Sequence, residues 1–393
     1  MESIKIKRSY EEINEKIKQG KAVIVTAEEM PEIVKENGVK KAFEKVDVVT
    51  TGTFGIMCSS GAFLNIGHTK PKIRTSKVWL NDVEAYGGIA AVDCYIGATQ
   101  VRENDPLNMV HPGTFAYGGG HVIEDLIAGK KIKLKATGYG TDCYPLKEIE
   151  KTITIKDLRN ALLYNPRNAY QNYNCGINLT KKVKYTYMGI LKPDMGNMFY
   201  SSAGQLSPLL NDPFYWTIGT GTKIFLGGTM GAVTWHGTQH APDSEREDNG
   251  IVNGGAGTIA VCGDMKQMNT NYIRGASIAG YGTSLMVGLG IPIPILNEDL
   301  AYFTGMSDKD IKAPVVDYGA DYPDGKDNIV QHVTYAELKS GTVIVQGRSV
   351  PAAPLSSYPV ARKIALELKS WIEKGFTLGI PQIPIPTVPY IKK

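Results

Sequence analysis

The 393-residue chain carries five cysteines, and none of them sits inside an apolar run. The local strings are Gly55-Ile56-Met57-Cys58-Ser59-Ser60-Gly61, Val92-Asp93-Cys94-Tyr95-Ile96-Gly97, Gly140-Thr141-Asp142-Cys143-Tyr144-Pro145, Asn174-Cys175-Gly176 and Val261-Cys262-Gly263-Asp264. A structural cysteine behaves as a small core hydrophobe. On a glycine-rich turn, backbone N–H groups can converge on the sulfur and favour the thiolate. Thiolate is both the nucleophile and the metal ligand. By this criterion Cys143, after a Gly-Tyr-Gly turn, leads and Cys58 follows. Cys94, at a strand end, is intermediate. Cys175 and Cys262 read as structural.

No two cysteines form C-x-x-C, which argues against a thioredoxin-type pair and a local zinc knuckle. Three from separate loops could still converge on an iron–sulfur cluster with one open iron. Of the six histidines, His236 and His240 have the spacing of a helical metal pair. Gly237 and the strand-like run before it favour a loop or substrate-contact role instead. His111 and His121 bracket a glycine-rich loop and are candidate proton donors, or plain loop hydrogen-bonders. No glycine cluster has the G-x-G-x-x-G context of a strand followed by a helix, and there is no G-x-x-x-x-G-K-[ST]. No NAD, flavin or ATP motif is therefore read.

The elements that must hold these residues read as α+β, with helices at both ends and a glycine-rich mixed or antiparallel β core. Ser9 caps a helix that Gly20 ends, Thr26-Ala27-Glu28-Glu29 opens a second, and Val39–Lys45 is a third. From Val46 the texture turns to short strands broken by glycine: Val46–Thr51, Lys77–Leu80, Ile89–Asp93, Lys131–Thr137 and Lys151–Ile155. Asp157–Leu163 reads as a short capped helix. Ala276–Leu289 fits buried strands or a close-packed helix equally. Arg362–Ile372 is an amphipathic helix. The proline-rich tail is an extended arm on the body or on a neighbouring subunit. The expected division is an N-terminal helical segment (1–45), a catalytic domain (46–375, with a subdomain split near 200–215) and the arm (376–393).

Composition sets outer bounds. A net charge of +4 is small, and the clusters Lys130–Lys135 and Lys181–Lys184 read as strands with a solvated lysine face, not a nucleic-acid patch. The N-terminus lacks a signal-peptide run, no stretch is apolar enough for a bilayer, and the odd cysteine count fits a reducing compartment. A cytoplasmic protein is expected. The 43 glycines are spread through the middle, as tight turns require.

The strings Thr51-Gly52-Thr53-Phe54-Gly55-Ile56-Met57-Cys58-Ser59-Ser60-Gly61-Ala62, Gly138-Tyr139-Gly140-Thr141-Asp142-Cys143-Tyr144-Pro145 and Gly227-Gly228-Thr229-Met230-Gly231 resemble one family. It is the homocysteine-biosynthesis family, the L-aspartate semialdehyde sulfurtransferases of methanogens and anaerobic bacteria. The resemblance spans about Ser9 to Val360. It implies two functional cysteines, Cys58 and Cys143, with Cys143 the persulfide carrier. It also implies a separate ferredoxin-like protein as electron donor. Some members carry C-terminal CBS domains; none is expected here, so nucleotide regulation is not carried over.

On this resemblance, the outer sulfur of a Cys143 persulfide adds to the aldehyde, reduction releases homocysteine, and Cys58 resolves or relays sulfur. Arg274 or Arg348 would bind the substrate carboxylate. A rival form of the reaction puts sulfide on the open iron of a [4Fe-4S] cluster held by Cys58, Cys94 and Cys143. Two readings of other classes are a non-catalytic persulfide carrier and a glycine-rich metal- or sugar-binding β-protein with incidental cysteines. A homodimer, a small aldehyde, a sulfide or persulfide donor, no nucleic acid and no membrane complete the expectations.

Overall fold

The computed structural model describes residues 7–319 and 328–390. The first six residues and the last three of the arm lie outside that description.

The helices at the N-terminal end form where their caps predict. Ser9 Oγ accepts the Glu12 N–H while Glu12 accepts the Ser9 N–H, opening α1 (Tyr10–Lys18). Thr26 and Glu29 exchange the same two bonds ahead of α2 (Met30–Asn37). Gly38, at φ 76°, then turns the chain into α3 (Val39–Lys45).

Short strands follow: β1 (Thr53–Ile56), β2 (Gly61–Asn65), β3 (Thr75–Leu80), β4 (Val83–Tyr86) and β5 (Asp93–Gly97). After α4 (Gly119–Ile127) come β6 (Ile132–Gly138), β7 (Glu148–Ile153) and the long β8 (Asn160–Tyr170). Further along are β9 (Lys223–Leu226), β10 (Thr229–His236), β11 (Thr258–Asp264), β12 (Ile273–Ile278) and β13 (Gly282–Gly290). They form one antiparallel sheet in the order β12-β13-β9-β10-β11-β8-β2-β5-β4-β3-β6-β7, with β1 on β13. The protein is thus α+β with a predominantly antiparallel, glycine-rich core.

The ambiguous small-residue stretch Ala276–Leu289 resolves through packing into the end of β12 and β13. β13 is buried along almost its whole length, because α4 and α5 (Tyr358–Glu373) lie against it. A Cβ on Gly120 would stand 1.9 Å from the Ser284 carbonyl oxygen, and one on Gly52 would stand 2.1 Å from that of Ala361. Glycine lets helix and strand backbones touch at these points. The buried face of α5, Ala361, Ile364, Ala365, Leu368 and Ile372, is the apolar stripe of the sequence.

A second, mixed sheet of six strands draws on Cys175–Ile177, Met198–Tyr200, Lys312–Asp317, Ile329–Thr334, Thr342–Val345 and Arg348–Pro354. It has its own aromatic core around Tyr200, Phe214, Phe303 and Tyr335. The extended arm reaches back over the body: Ile383–Pro384 pairs with Gly219–Thr220, and Ile385 is buried.

Three local expectations need correction. Asp157–Leu163 is not a helix; the Asp157 carboxylate accepts Thr154 N–H and Oγ–H, closing a turn, and the chain enters β8 at Asn160. That bond is the one a helix N-cap makes, and here it serves a turn. Residues 89–92 form a bend, and the strand begins at Asp93. Lys181 and Lys182 lie in a loop ahead of the strand Lys184–Thr186.

Candidate active site

The chain leaves β1 at Ile56 and turns through Met57-Cys58-Ser59-Ser60 into β2. Met57 N–H bonds the Leu285 carbonyl at 2.8 Å, and Ser60 N–H bonds Met57 O at 3.0 Å. Gly61 must lack a side chain, since its Cβ would fall 2.1 Å from the Tyr95 hydroxyl. This turn delivers Cys58 to the wall of a cavity of about 450 Å³ between the two sheets. Ser59, Arg167, Tyr173, Tyr187, Ser201, Ser202, Gln239, Tyr281 and Ser356 also line it.

The Cys58 thiol is held above its ordinary value: burial pushes it up further than the Ser284 hydroxyl bond and the Arg167 charge pull it down. Ser284 Oγ donates to Cys58 Sγ at 3.2 Å. Arg167 comes from an irregular stretch of β8, where Pro166 cannot donate to the ladder and the register with β11 shifts. Asn165 folds this stretch onto the cysteine turn: its amide donates to Ser60 Oγ at 2.9 Å and its oxygen accepts Arg167 N–H. Arg167 Nε donates to Ser59 Oγ at 3.1 Å. Among the described lining residues Arg167 alone is charged.

On the opposite wall the hydroxyls of Tyr173 and Tyr187 are 2.8 Å apart, and Tyr187 is 2.8 Å from the Tyr318 hydroxyl. Burial raises the Tyr187 phenol far above its ordinary value, so it stays protonated and able to donate. A cysteine sulfur, a guanidinium and the Tyr173 and Tyr187 hydroxyls thus face one small space. Such a set can bind a carboxylate, attack a carbonyl carbon and protonate its oxygen.

Cys143 is elsewhere. It is exposed on the turn Thr141–Tyr144, where Thr141 and Tyr144 exchange backbone bonds of 2.9 and 3.0 Å. The register gives its place: Gly61 pairs with Gly97, Leu80 with both Val83 and Leu134, and Thr75 with Gly138. The Cys58 turn enters β2 at one end of these strands, and the Cys143 loop leaves β6 at the other. β2 and β6 are four strand steps apart, roughly 19 Å at about 4.8 Å per step.

Cys94 is fully buried beside Leu64, and burial pushes its thiol up to about 12. Cys175 is buried too, and Cys262 is half-buried, with both thiols raised by burial. A three-cysteine cluster needs its thiolates gathered on one face, whereas within this chain Cys94 is sealed in the core and Cys58 and Cys143 sit at opposite strand ends. Among the described residues no three His, Cys, Asp or Glu side chains group as a metal site. The residues do not fit a cluster within one chain.

The other candidates also fall outside the cavity. His111 is exposed, with its ring edge-on to Tyr185. His121 stacks on Tyr117, its Nε2 lies 3.3 Å from Ser277 Oγ, and burial lowers its pKa. Arg274 is exposed and pairs loosely with Glu124 at 3.8 Å. Arg348 is exposed at the start of a strand after a tight turn. His240 uses both ring nitrogens on backbone: Nδ1 accepts Thr258 N–H at 3.0 Å, and Nε2 donates to Pro386 O at 2.7 Å.

Sequence reasoning missed Arg167, Ser284 and the tyrosine chain. The run Asn165-Pro166-Arg167-Asn168, polar within a strand, is the signal that could have found the first. The misread helix at Asp157 obscured it. No helix among the described residues is long and apolar enough to cross a membrane.

Residues 22–378 match the family described as homocysteine biosynthesis enzyme, sulfur-incorporation. A protein of Methanosarcina acetivorans named L-aspartate semialdehyde sulfurtransferase is 49% identical over 96% of this chain and 71% of its own length. One of the same name from Methanocaldococcus jannaschii is 48% identical over 94% of this chain and 71% of its own. An uncharacterised protein of Methanothermobacter thermautotrophicus is 28% identical over 86% of this chain and 73% of its own length. No solved structure matches. The chain therefore belongs to the homocysteine-biosynthesis family of sulfur-incorporating enzymes, and is a sulfurtransferase.

Proposed function

We propose that this sulfurtransferase converts L-aspartate semialdehyde to homocysteine in the Cys58 cavity. The observation that carries the reading is the pairing of Cys58 with Arg167 in one cavity. The substrate has a carboxylate at one end and an aldehyde at the other. Arg167 takes the carboxylate as a two-point ion pair. Cys58, bearing an outer sulfur, adds that sulfur to the aldehyde carbon, and a Tyr173 or Tyr187 hydroxyl protonates the oxygen.

The electron count defines what must come from outside. An aldehyde plus hydrogen sulfide, two protons and two electrons gives a thiol and water. When sulfur arrives as a persulfide, breaking the S–S bond takes two further electrons and two protons. A dithiol or a separate ferredoxin-like donor supplies them. Exposed Cys143 takes up the sulfane sulfur and Cys58 receives it.

The test is anaerobic turnover of L-aspartate semialdehyde with a sulfur source and a dithiol, reading homocysteine by mass spectrometry. Wild type should turn over and Cys58→Ser should lose at least about a hundredfold. No product from wild type, or full activity in Cys58→Ser, rejects the reading.

A further inference from the structure

Two cysteines that exchange sulfur must bring their sulfur atoms into contact, yet in one chain Cys58 and Cys143 sit at opposite strand ends and four strands apart. The sheet between them is continuous and hydrogen-bonded, so no loop movement closes the gap. Cys143 is presented outward: Thr141, Asp142 and Cys143 are all exposed at the tip, and Thr141 Oγ touches the sulfur at 3.6 Å. The strand end around it exposes large apolar side chains, Tyr139 73%, Tyr86 66% and Ile89 46%, among the charged residues Lys72, Arg74, Lys147 and Glu148. Lys77 pairs with both Tyr86 and Thr137, which sets Tyr86 and Tyr139 at the same end of the sheet as the tip. The very tip also carries a charge opposite to the cavity's, with Lys147 at its flank. Asp142 precedes Cys143, and Arg167 is the charged group beside Cys58.

We infer that the working site is shared between two copies of this chain, with the Thr141–Tyr144 tip of one copy docking at the Cys58 cavity of the other. Asp142 then pairs with Arg167 while the cavity awaits substrate, and Tyr86 and Tyr139 supply the apolar contact. The transferred atom is the outer sulfur of a Cys143 persulfide, loaded by a polysulfide or low-molecular-weight persulfide. The Cys58 thiolate attacks that sulfur. One S–S bond forms on Cys58 as the bond on Cys143 breaks, a proton goes to the leaving Cys143 thiolate, and no electrons are gained or lost. The tip then withdraws and frees Arg167 for the substrate carboxylate. This inference rests on the proposal that both cysteines take part.

The experiment is co-expression of Cys58→Ser and Cys143→Ser chains carrying different tags, purified through both, with polysulfide as sulfur source and a dithiol as reductant. Each variant alone should be inactive. The doubly tagged species holds one intact composite site out of two and should show about half the wild-type turnover per dimer. Sedimentation should show a dimer, and mild oxidation should yield a Cys58–Cys143 disulfide joining the two tags. An inactive mixed dimer, with both single variants inactive, overturns the shared site and leaves the need for both cysteines standing. Activity from a mixture that sediments as monomers overturns it in favour of a diffusible carrier. Wild-type turnover in Cys143→Ser alone overturns the role of Cys143 itself.

Discussion

The hydroxyl of Ser284 donates to the sulfur of Cys58 at 3.2 Å from 226 residues further along the chain. β13 is the strand that β1 pairs with, so the pairing that builds the sheet also brings the hydroxyl to the thiol. Burial opposes thiolate formation, and the Ser284 bond and Arg167 are the two side chains that favour it. Ser284→Ala should therefore move the alkylation of Cys58 to higher pH, read by mass spectrometry after iodoacetamide labelling. Arg167→Met should move it the same way. An unshifted profile in both would mean that these groups do not act on the sulfur.

Arg167→Met should also weaken substrate capture. A hydrogen bond to a charged group is worth about 1.5–3 kcal/mol, so kcat/KM should fall by roughly 10- to 150-fold. Arg167→Lys keeps the charge but loses the Nε bond to Ser59 and should fall between Met and wild type. Steady-state kinetics on the semialdehyde checks the order. Equal activity of all three proteins would remove Arg167 from the site.

Cys94→Ala should keep activity. The thiol is sealed in the core, with its pKa pushed up to about 12, and its role is to fill space beside Leu64. Anaerobic purification with an iron and acid-labile sulfide assay gives the contrary outcome a clear form: stoichiometric iron in wild type that disappears in Cys94→Ala would require cysteine ligation from this position.

Gly52→Ala should destabilise the fold without touching the cavity. Its new Cβ would stand 2.1 Å from the Ala361 carbonyl oxygen and force α5 off the strands beneath it. Overpacking of this kind costs about 1–3 kcal/mol, a loss of roughly 1–4 °C in Tm for a chain of this length. Differential scanning calorimetry reads it, and an unchanged Tm would show that the helix gives way freely.

The arm should loosen in acid. His240 Nδ1 accepts the Thr258 N–H, which only the neutral ring can do, and burial lowers its pKa below the usual histidine value. The unfolded or detached arm leaves His240 free to protonate first, so the stabilisation is complete above about pH 6.5 and is lost as pH falls towards the lowered value. The protection factor of the Gln382 amide, whose N–H bonds Thr220 O at 2.8 Å, should fall below that pH. His240→Gln should show the lower protection already at neutral pH, with no further fall in acid. A wild-type protection factor that does not change with pH would detach His240 from the arm.

The sequence by itself determined the local pieces. Caps at Ser9 and Thr26, the apolar stripe of α5, the extended proline arm and the lysine–apolar alternation of β6 are short-range patterns with short-range causes. The cysteine motifs, by their resemblance to a known family, likewise placed the chain among the sulfurtransferases. Only the tertiary structure decided the site. Cys58 gains Arg167 from a bulged strand over a hundred residues on, and Ser284 from a buried strand whose small residues read equally as helix or sheet. Tyr173 and Tyr318 flank paired strands of the second sheet, and Tyr187 reaches them from the turn of a separate hairpin. Cys58 and Cys143 looked alike as cysteines on glycine turns, yet one lines a cavity and the other stands exposed at the far end of the sheet. Strand pairing across the whole chain sets those positions, and no local spacing encodes it.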